Sequence, residues 1–273
     1  MEFFTREKLT ERITRIQDIC GTYLYLVEGD DAVCLLDTGD GFGDLKAYVA
    51  ALTSKPVTVV LTHGHLDHVG GVFGFDDVYM SSKDLPIYYE HARRDFRIDH
   101  WKNNERCAQT PDELIMPYVD PAAFKELSED TVLDLGGIHL RPVAVPGHTP
   151  GMHCVLVEEE RYCLFGDACG VFVLLYDDYS SCASEYLASL EHLKGYEDRY
   201  DFIIRNHGTG ASPKELLGNV MDCARLIVSG TDDHVPITHN GRDLFLAKAP
   251  SPDGFGRADG KEGNIAYRAD KAC

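Results

Sequence analysis

The stretch His63-Gly64-His65-Leu66-Asp67-His68-Val69-Gly70-Gly71 decides how the rest of the chain is read. Four side chains of metal-ligand type fall within six residues. The run Val57-Thr58-Val59-Val60-Leu61-Thr62 leads straight into them, short and rich in β-branched residues, and so predicts a buried strand. The four therefore stand at the carboxyl end of a strand, where α/β folds place their sites. His63 and His65 are two apart, and an extended chain points both to one side. Asp67 and His68 follow as the chain turns, aimed at a second point. Two imidazoles suit a borderline metal such as zinc, and Asp67 adds a hard oxygen.

Upstream, Thr22 to Glu28 and Ala32 to Asp37 read as strands joined by Gly29-Asp30-Asp31, a hairpin. Residues 1 to 20 offer an edge strand. Asp44 to Leu52 suits a helix capped by Asp44. Gly70-Gly71 lets backbone pack closely behind the ligand loop. Asp77 to Met80 is a short strand. Residues 82 to 130 change in character, with charges, helical stretches and the aromatics Tyr88, Tyr89, His91, Phe96, His100 and Trp101. This is a helical insertion, and two readings stay open: a lid over the site, or a solvated hairpin whose aromatics pack on the domain.

Downstream, Thr131 to Leu135 and Ile138 to Val145 form a hairpin around Gly136-Gly137. It delivers His148, held in the rigid turn Pro146-Gly147-His148-Thr149-Pro150-Gly151. Met152 to Val157 and Arg161 to Phe165 are strands, and the second ends at Gly166-Asp167-Ala168. A carboxylate straight after a buried strand is costly unless a cation pairs with it. Residues 183 to 195 read as a helix with Tyr186, Leu187, Leu190 and Leu193 on one face. Asp201 to Arg205 is a strand ending at Asn206-His207-Gly208. Ser212 and Pro213 then open a helix to about Val228. The Gly/Asp/Pro-rich tail holds an apolar run from Asp243 to Lys248 and a short strand near Asn264 to Tyr267.

The net charge of −19 argues against phosphate-backbone binding, which needs a basic face. No apolar run is long enough to span a bilayer, and the start lacks a signal peptide's apolar core. The expectation is a cytoplasmic protein with a small-molecule substrate, no nucleic acid, no membrane, and a monomeric or homodimeric state. Nine cysteines without paired spacing read as reduced thiols, most of them buried.

Taken in order, Thr-His-Gly-His-Leu-Asp-His, Pro-Gly-His-Thr-Pro-Gly, Gly-Asp-Ala and Asn-His-Gly, with the early turn Asp37-Thr38-Gly39, resemble the metallo-β-lactamase superfamily over roughly residues 20 to 210. The resemblance implies an α/β fold, an αββα sandwich of two mixed β-sheets with outer helices, in a single domain covering 1–273. By position it implies that His63, His65 and His148 hold a first metal. Asp67, His68 and His207 would hold a second, and Asp167 would bridge both. It implies two divalent ions, zinc first, with manganese or iron as alternatives, and a metal-bridging hydroxide that attacks a carbonyl. Asp67 would be the catalytic residue, orienting that nucleophile by a hydrogen bond.

Within the superfamily the ligand set looks most like glyoxalase II-type thioesterases and acyl-homoserine lactonases, so a thioester, lactone or ester is expected as substrate. Cys169 reads as a packed thiol rather than a ligand. Tyr23, Tyr176 and Tyr179 are candidates for an oxyanion-stabilising phenol, although packing is the simpler role for each. Two alternatives stay open: an iron-dependent oxidoreductase of the sulfur dioxygenase type, and a non-catalytic metal-binding protein.

Overall fold

The computed structural model describes residues 1–252 and 256–273; part of the Gly/Asp/Pro-rich tail, at 253–255, lies outside them. By its internal contacts the chain divides into two compact units: residues 1–142 with 157–160, and residues 143–156 with 161–273. Among the described residues no helix is long and apolar enough to cross a membrane.

Unit 1 is built on a seven-stranded sheet in sequence order, β1 (Phe4–Lys8), β2 (Ile13–Asp18), β3 (Tyr23–Glu28), β4 (Val33–Leu36), β5 (Val57–Val60), β6 (Val78–Met80) and β7 (Lys125–Glu126). The first four strands pair antiparallel and the last four parallel. The change has a local cause. Connections of four residues each return β1 to β4 as hairpins, whereas a helical crossover separates β4 from β5. That crossover is α1 (Leu45–Ala50), and Asp44 caps it by accepting from Ala47 N at 2.9 Å. β1 is an edge strand, with only Phe4 buried. β8 (Leu133–Asp134) and β9 (His139–Ala144) form the expected antiparallel hairpin.

The parallel strands β4 and β5 deliver Asp37 and the ligand loop from their carboxyl ends. The loop runs into the one-turn helix α2 (Leu66–Val69). A Cβ on Gly70 would lie 2.4 Å from the carbonyl carbon of Asp40, and one on Gly71 would lie 2.3 Å from Thr38 O. Only glycine fits this close backbone approach.

The segment 82–130 carries α3 (Leu85–His91) and α4 (Arg94–Trp101), followed by two 3₁₀ turns at Asp112–Leu114 and Pro121–Ala123. It is helical in its first half only. Arg97 of α4 is fully buried, its guanidinium donating to the backbone carbonyls of Asp40 (2.9 Å), Gly41 (3.3 Å), Ala92 (3.3 Å) and Met116.

Unit 2 contains β10 (His153–Val157), β11 (Tyr162–Leu164), β12 (Phe172–Leu175), α5 (Ala183–Lys194), β13 (Phe202–Ile204), β14 (Ala211–Ser212), α6 (Leu216–Ser229), β15 (Val235–His239), β16 (Arg242–Leu246) and β17 (Asn264–Tyr267). One sheet runs β14-β13-β11-β10, and a second runs β12-β17-β16-β15. The core gathers Phe165, Leu190, Leu217 and Ile265 among others. Of the face read from its periodicity, α5 buries Tyr186, Leu190 and Leu193 and leaves Leu187 half-buried.

One boundary differs from expectation. Ser212 does not cap a helix. Its backbone pairs with Ile203 in β14, and its hydroxyl accepts from Arg205 Nε at 2.6 Å and donates to Glu262. With that residue committed to the sheet, α6 starts later, at Leu216, and ends at Gly230 in the left-handed region (φ 65°).

Candidate functional site

In unit 1 the loop after β5 brings His63, His65, Asp67 and His68 together. His63 Nε2 and His65 Nδ1 lie 3.1 Å apart, and the rings of His63 and His68 are 4.0 Å apart at their centroids. His68 Nε2 lies 3.7 Å from Asp67 Oδ2. The three imidazoles are buried, whereas Asp67 is partly exposed.

Two of these rings are turned by a neighbour. His68 Nδ1 lies 2.8 Å from Asp37 Oδ2. Asp37 is itself fixed, accepting from Thr62 N at 2.7 Å and from the Thr62 hydroxyl at 2.9 Å. It sits in the left-handed region at φ 62°, a conformation that aspartate tolerates and that often marks a functional turn. With Nδ1 committed to a carboxylate, His68 presents Nε2 toward Asp67, the arrangement that metal-binding histidines show. His63 Nδ1 lies 3.1 Å from the Thr62 hydroxyl, which likewise turns Nε2 to His65.

In unit 2 three more of the expected residues meet. Asp167 follows β11, His207 follows β13, and these two strands run parallel, so both side chains leave from carboxyl ends. His148 stands in the turn before β10. His148 Nε2 is 3.6 Å from Asp167 Oδ2, and His207 Nε2 is 3.3 Å from Asp167 Oδ1. The carboxylate thus turns one oxygen to each imidazole. His148 Nδ1 lies 2.8 Å from the carbonyl of Leu174 in β12, and Ser180 Oγ donates to the His148 carbonyl at 3.0 Å. These bonds fix both the tautomer and the turn.

The chemistry of these donors fits a divalent cation of borderline softness. Imidazole nitrogens approach one another and carboxylate oxygens closely enough to need a shared proton or a cation, and imidazole with carboxylate is a zinc-type set.

Other residues read from the sequence have different work. Cys169 is buried beside the Tyr186 hydroxyl at 3.7 Å, and burial pushes its thiol up to about 12, as suits a packed thiol. The Arg15 guanidinium sits over Tyr23 and that of Arg242 over Tyr176. Tyr179 donates to Asp177 at 3.0 Å. Arg205 pairs with Glu262 at 3.1 Å. Two contacts carry no signal in the sequence: the Asp84 carboxylate accepts from Gly64 N at 2.9 Å, and the His91 ring stacks on His65.

The family model described as the metallo-beta-lactamase superfamily matches residues 18–202. The chain belongs to the metallo-β-lactamase superfamily. Its mixed sheets and helices are those of the metallo-β-lactamase fold. Over 205 residues it is 28% identical to a beta-lactamase-like protein 2 homolog of Caenorhabditis elegans, covering 69% of this chain and 59% of that one. It is 31% identical over 185 residues to a hydroxyacylglutathione hydrolase of Shewanella denitrificans, covering 66% and 60%. It is also 26% identical over 195 residues to the Homo sapiens acyl-coenzyme A thioesterase MBLAC2, covering 64% and 68%. The match therefore spans about three-fifths of the length of the first two relatives. Among solved structures, a metallo-beta-lactamase from Erythrobacter litoralis superposes with a TM-score of 0.58 at 15% identity, covering 82% of this chain and 97% of that one. One from Pontibacter korlensis superposes with a TM-score of 0.53 at 16% identity, covering 81% and 99%. Likeness at these identities speaks to the fold alone.

Proposed function

We propose that this chain is a dinuclear metallohydrolase acting on the carbonyl of a small thioester, lactone or ester. In this reading His63, His65 and His148 hold one divalent ion, Asp67, His68 and His207 hold a second, and Asp167 bridges them. The observation that carries it is the posture of Asp167, with one oxygen toward His148 Nε2 and the other toward His207 Nε2. A carboxylate so turned serves two cations at once. Three imidazoles for one ion, and two imidazoles with a carboxylate for the other, leave room for an exogenous ligand, as catalytic sites require. Zinc is the first choice, with manganese or iron as alternatives. Bound ions of this kind lower the pKa of water toward neutrality and polarise a carbonyl oxygen.

The chain's own residues prepare that chemistry. Asp37 holds His68 with Nε2 presented, and the Leu174 carbonyl does the same for His148. Asp67, partly exposed in the first turn of α2, is assigned the hydrogen bond that orients the nucleophile. The thioester class is carried over from the names of two relatives, a hydroxyacylglutathione hydrolase and an acyl-coenzyme A thioesterase.

The test is turnover on a panel of thioesters and lactones. Activity should vanish with a chelator and return with zinc or manganese. Asp67→Ala should lower kcat by about 10²–10⁴-fold, the usual worth of a positioned acid–base group. Full activity in the chelated protein, or in the Asp67→Ala variant, overturns the reading.

A further inference from the structure

The insertion meets the ligand loop at either end of one short helix, α3. Asp84, immediately before α3, is fully buried, and its carboxylate makes no cap on its own helix. Instead it accepts the N–H of Gly64 at 2.9 Å, the residue between His63 and His65. The approach is close: a Cβ on Gly64 would lie 2.9 Å from the Asp84 carbonyl oxygen and 3.2 Å from Ile87 Cβ. At the far end of α3, the ring of His91 stacks on that of His65, with centroids 4.9 Å apart and planes 24° from parallel. Phe96 of α4 stacks on His91 in turn, at 4.6 Å and 28°.

We propose that α3 is a positioning clamp for the first pair of imidazoles, with Asp84 fixing the backbone at Gly64 and His91 fixing the ring plane of His65. The terminal torsion of a histidine is soft, so its ring direction is set by what packs against it. A ring held in place before the ion arrives loses less freedom on binding. Neither Asp84 nor His91 is assigned contact with substrate; both act through His63 and His65. Because affinity and order are linked in both directions, ion binding at His65 should in turn steady α3 and α4.

The clamp rests on the proposed ligation by His63 and His65, and its test separates the two. Zinc affinity of the full chain is measured by competition with a chromophoric chelator, beside a thermal melt for folding. Asp84→Ala and His91→Ala should each weaken binding by about 10–100-fold, the range for partners that orient metal ligands. Asp84→Asn, which keeps an acceptor for Gly64, and His91→Phe, which keeps the stack, should stay within about threefold of wild type. Amide exchange across 85–101 should slow when zinc is added to wild type and not when it is added to His65→Ala. A wild type that binds zinc while both alanine variants bind it equally well overturns the clamp alone. A folded His91→Phe chain that binds as weakly as His91→Ala overturns the stacking role. A wild type that takes up no zinc overturns the ligation and the clamp together.

Discussion

Two groups of ligand-type side chains lie within unit 1, and their hydrogen bonding sends them to opposite ends. Asp18, Cys20 and Asp40 bring ligand atoms within 4.8 Å of one another, with both carboxyl groups buried. By proximity alone they rival the loop at His63. Yet their oxygens are already served. Asp18 Oδ1 accepts from Gly21 N and Thr22 N, each at 2.9 Å, and Oδ2 accepts from Asp40 N at 3.0 Å. Asp40 accepts from the Thr22 hydroxyl at 3.0 Å and from Trp101 Nε1 at 2.5 Å. A cation there would have to displace donors that hold the turn together. In the loop, by contrast, His63 Nε2 and His65 Nδ1 face each other at 3.1 Å, and the outward nitrogens of His63 and His68 are held by Thr62 and Asp37. The direction of the lone pairs, more than the closeness of the residues, separates a binding site from a structural knot.

The strongest way to break this contrast is to exchange the two groups. His63→Ala should lower zinc affinity by more than the roughly 10–100-fold expected of an orienting partner, since a ligand itself is lost. Asp18→Asn should leave zinc content unchanged. Equal effects from both, read by metal analysis after dialysis, would show that the acid group binds metal too. A smaller effect comes from Gly70, where the two regions meet. Its added Cβ would strike the Asp40 carbonyl at 2.5 Å, and overpacking of this kind costs about 1–3 kcal/mol. Gly70→Ala should therefore lower the melting temperature by about 2–4 °C for each kcal/mol lost. An unchanged melt would mean that the backbone yields there without cost.

The clustering of His63, His65, Asp67 and His68 was legible because its signal is local: six residues at the end of a β-branched run. His148, Asp167 and His207 were legible one strand end at a time, and only the resemblance joined them into a set. Contacts made across long stretches of chain were not legible. β12 pairs in parallel with β17, about ninety residues later, so nothing near Phe172 announces its partner. β15 carries Pro236 and alternates half-buried with exposed positions, a pattern that belongs to a sheet edge and is weak in sequence. At Ser212-Pro213 a good local helix signal yielded to a sheet pairing and to Glu262, fifty residues away. Asp84 and Arg97 stand in a charged segment where the sequence gives neither a distinct role. Both are buried because their partners are backbone groups of distant turns, Gly64 N–H for one and the carbonyls of Asp40, Gly41 and Met116 for the other. Backbone partners leave no mark on composition.

The finest test of the contrast is a titration. Burial pushes the Asp40 carboxyl well above its usual range, and the charges of Asp18 and then Asp67 push it further; burial also raises Asp18. The folded protein therefore holds these protons more tightly than the unfolded chain does. Their contribution to stability is fully present below the unfolded carboxyl value, near 4, and is lost as the pH rises through the folded value. The Arg97 guanidinium, on the Asp40 carbonyl at 2.9 Å, works against that loss, although burial has lowered its own pKa to about 10. Asp40→Asn removes the titration while keeping an oxygen for Trp101 and placing an N–H donor toward Asp18. In metal-free protein, denaturant melts at about pH 5 and about pH 8 should show wild type losing stability at the higher value and the asparagine variant losing less. At the higher pH the variant should match or exceed wild type. If it is weaker than wild type by the same margin at both values, Asp40 is held as a carboxylate by Arg97. The acid group would then be an ion pair, and the contrast with the histidine loop would rest on charge rather than on lone-pair direction.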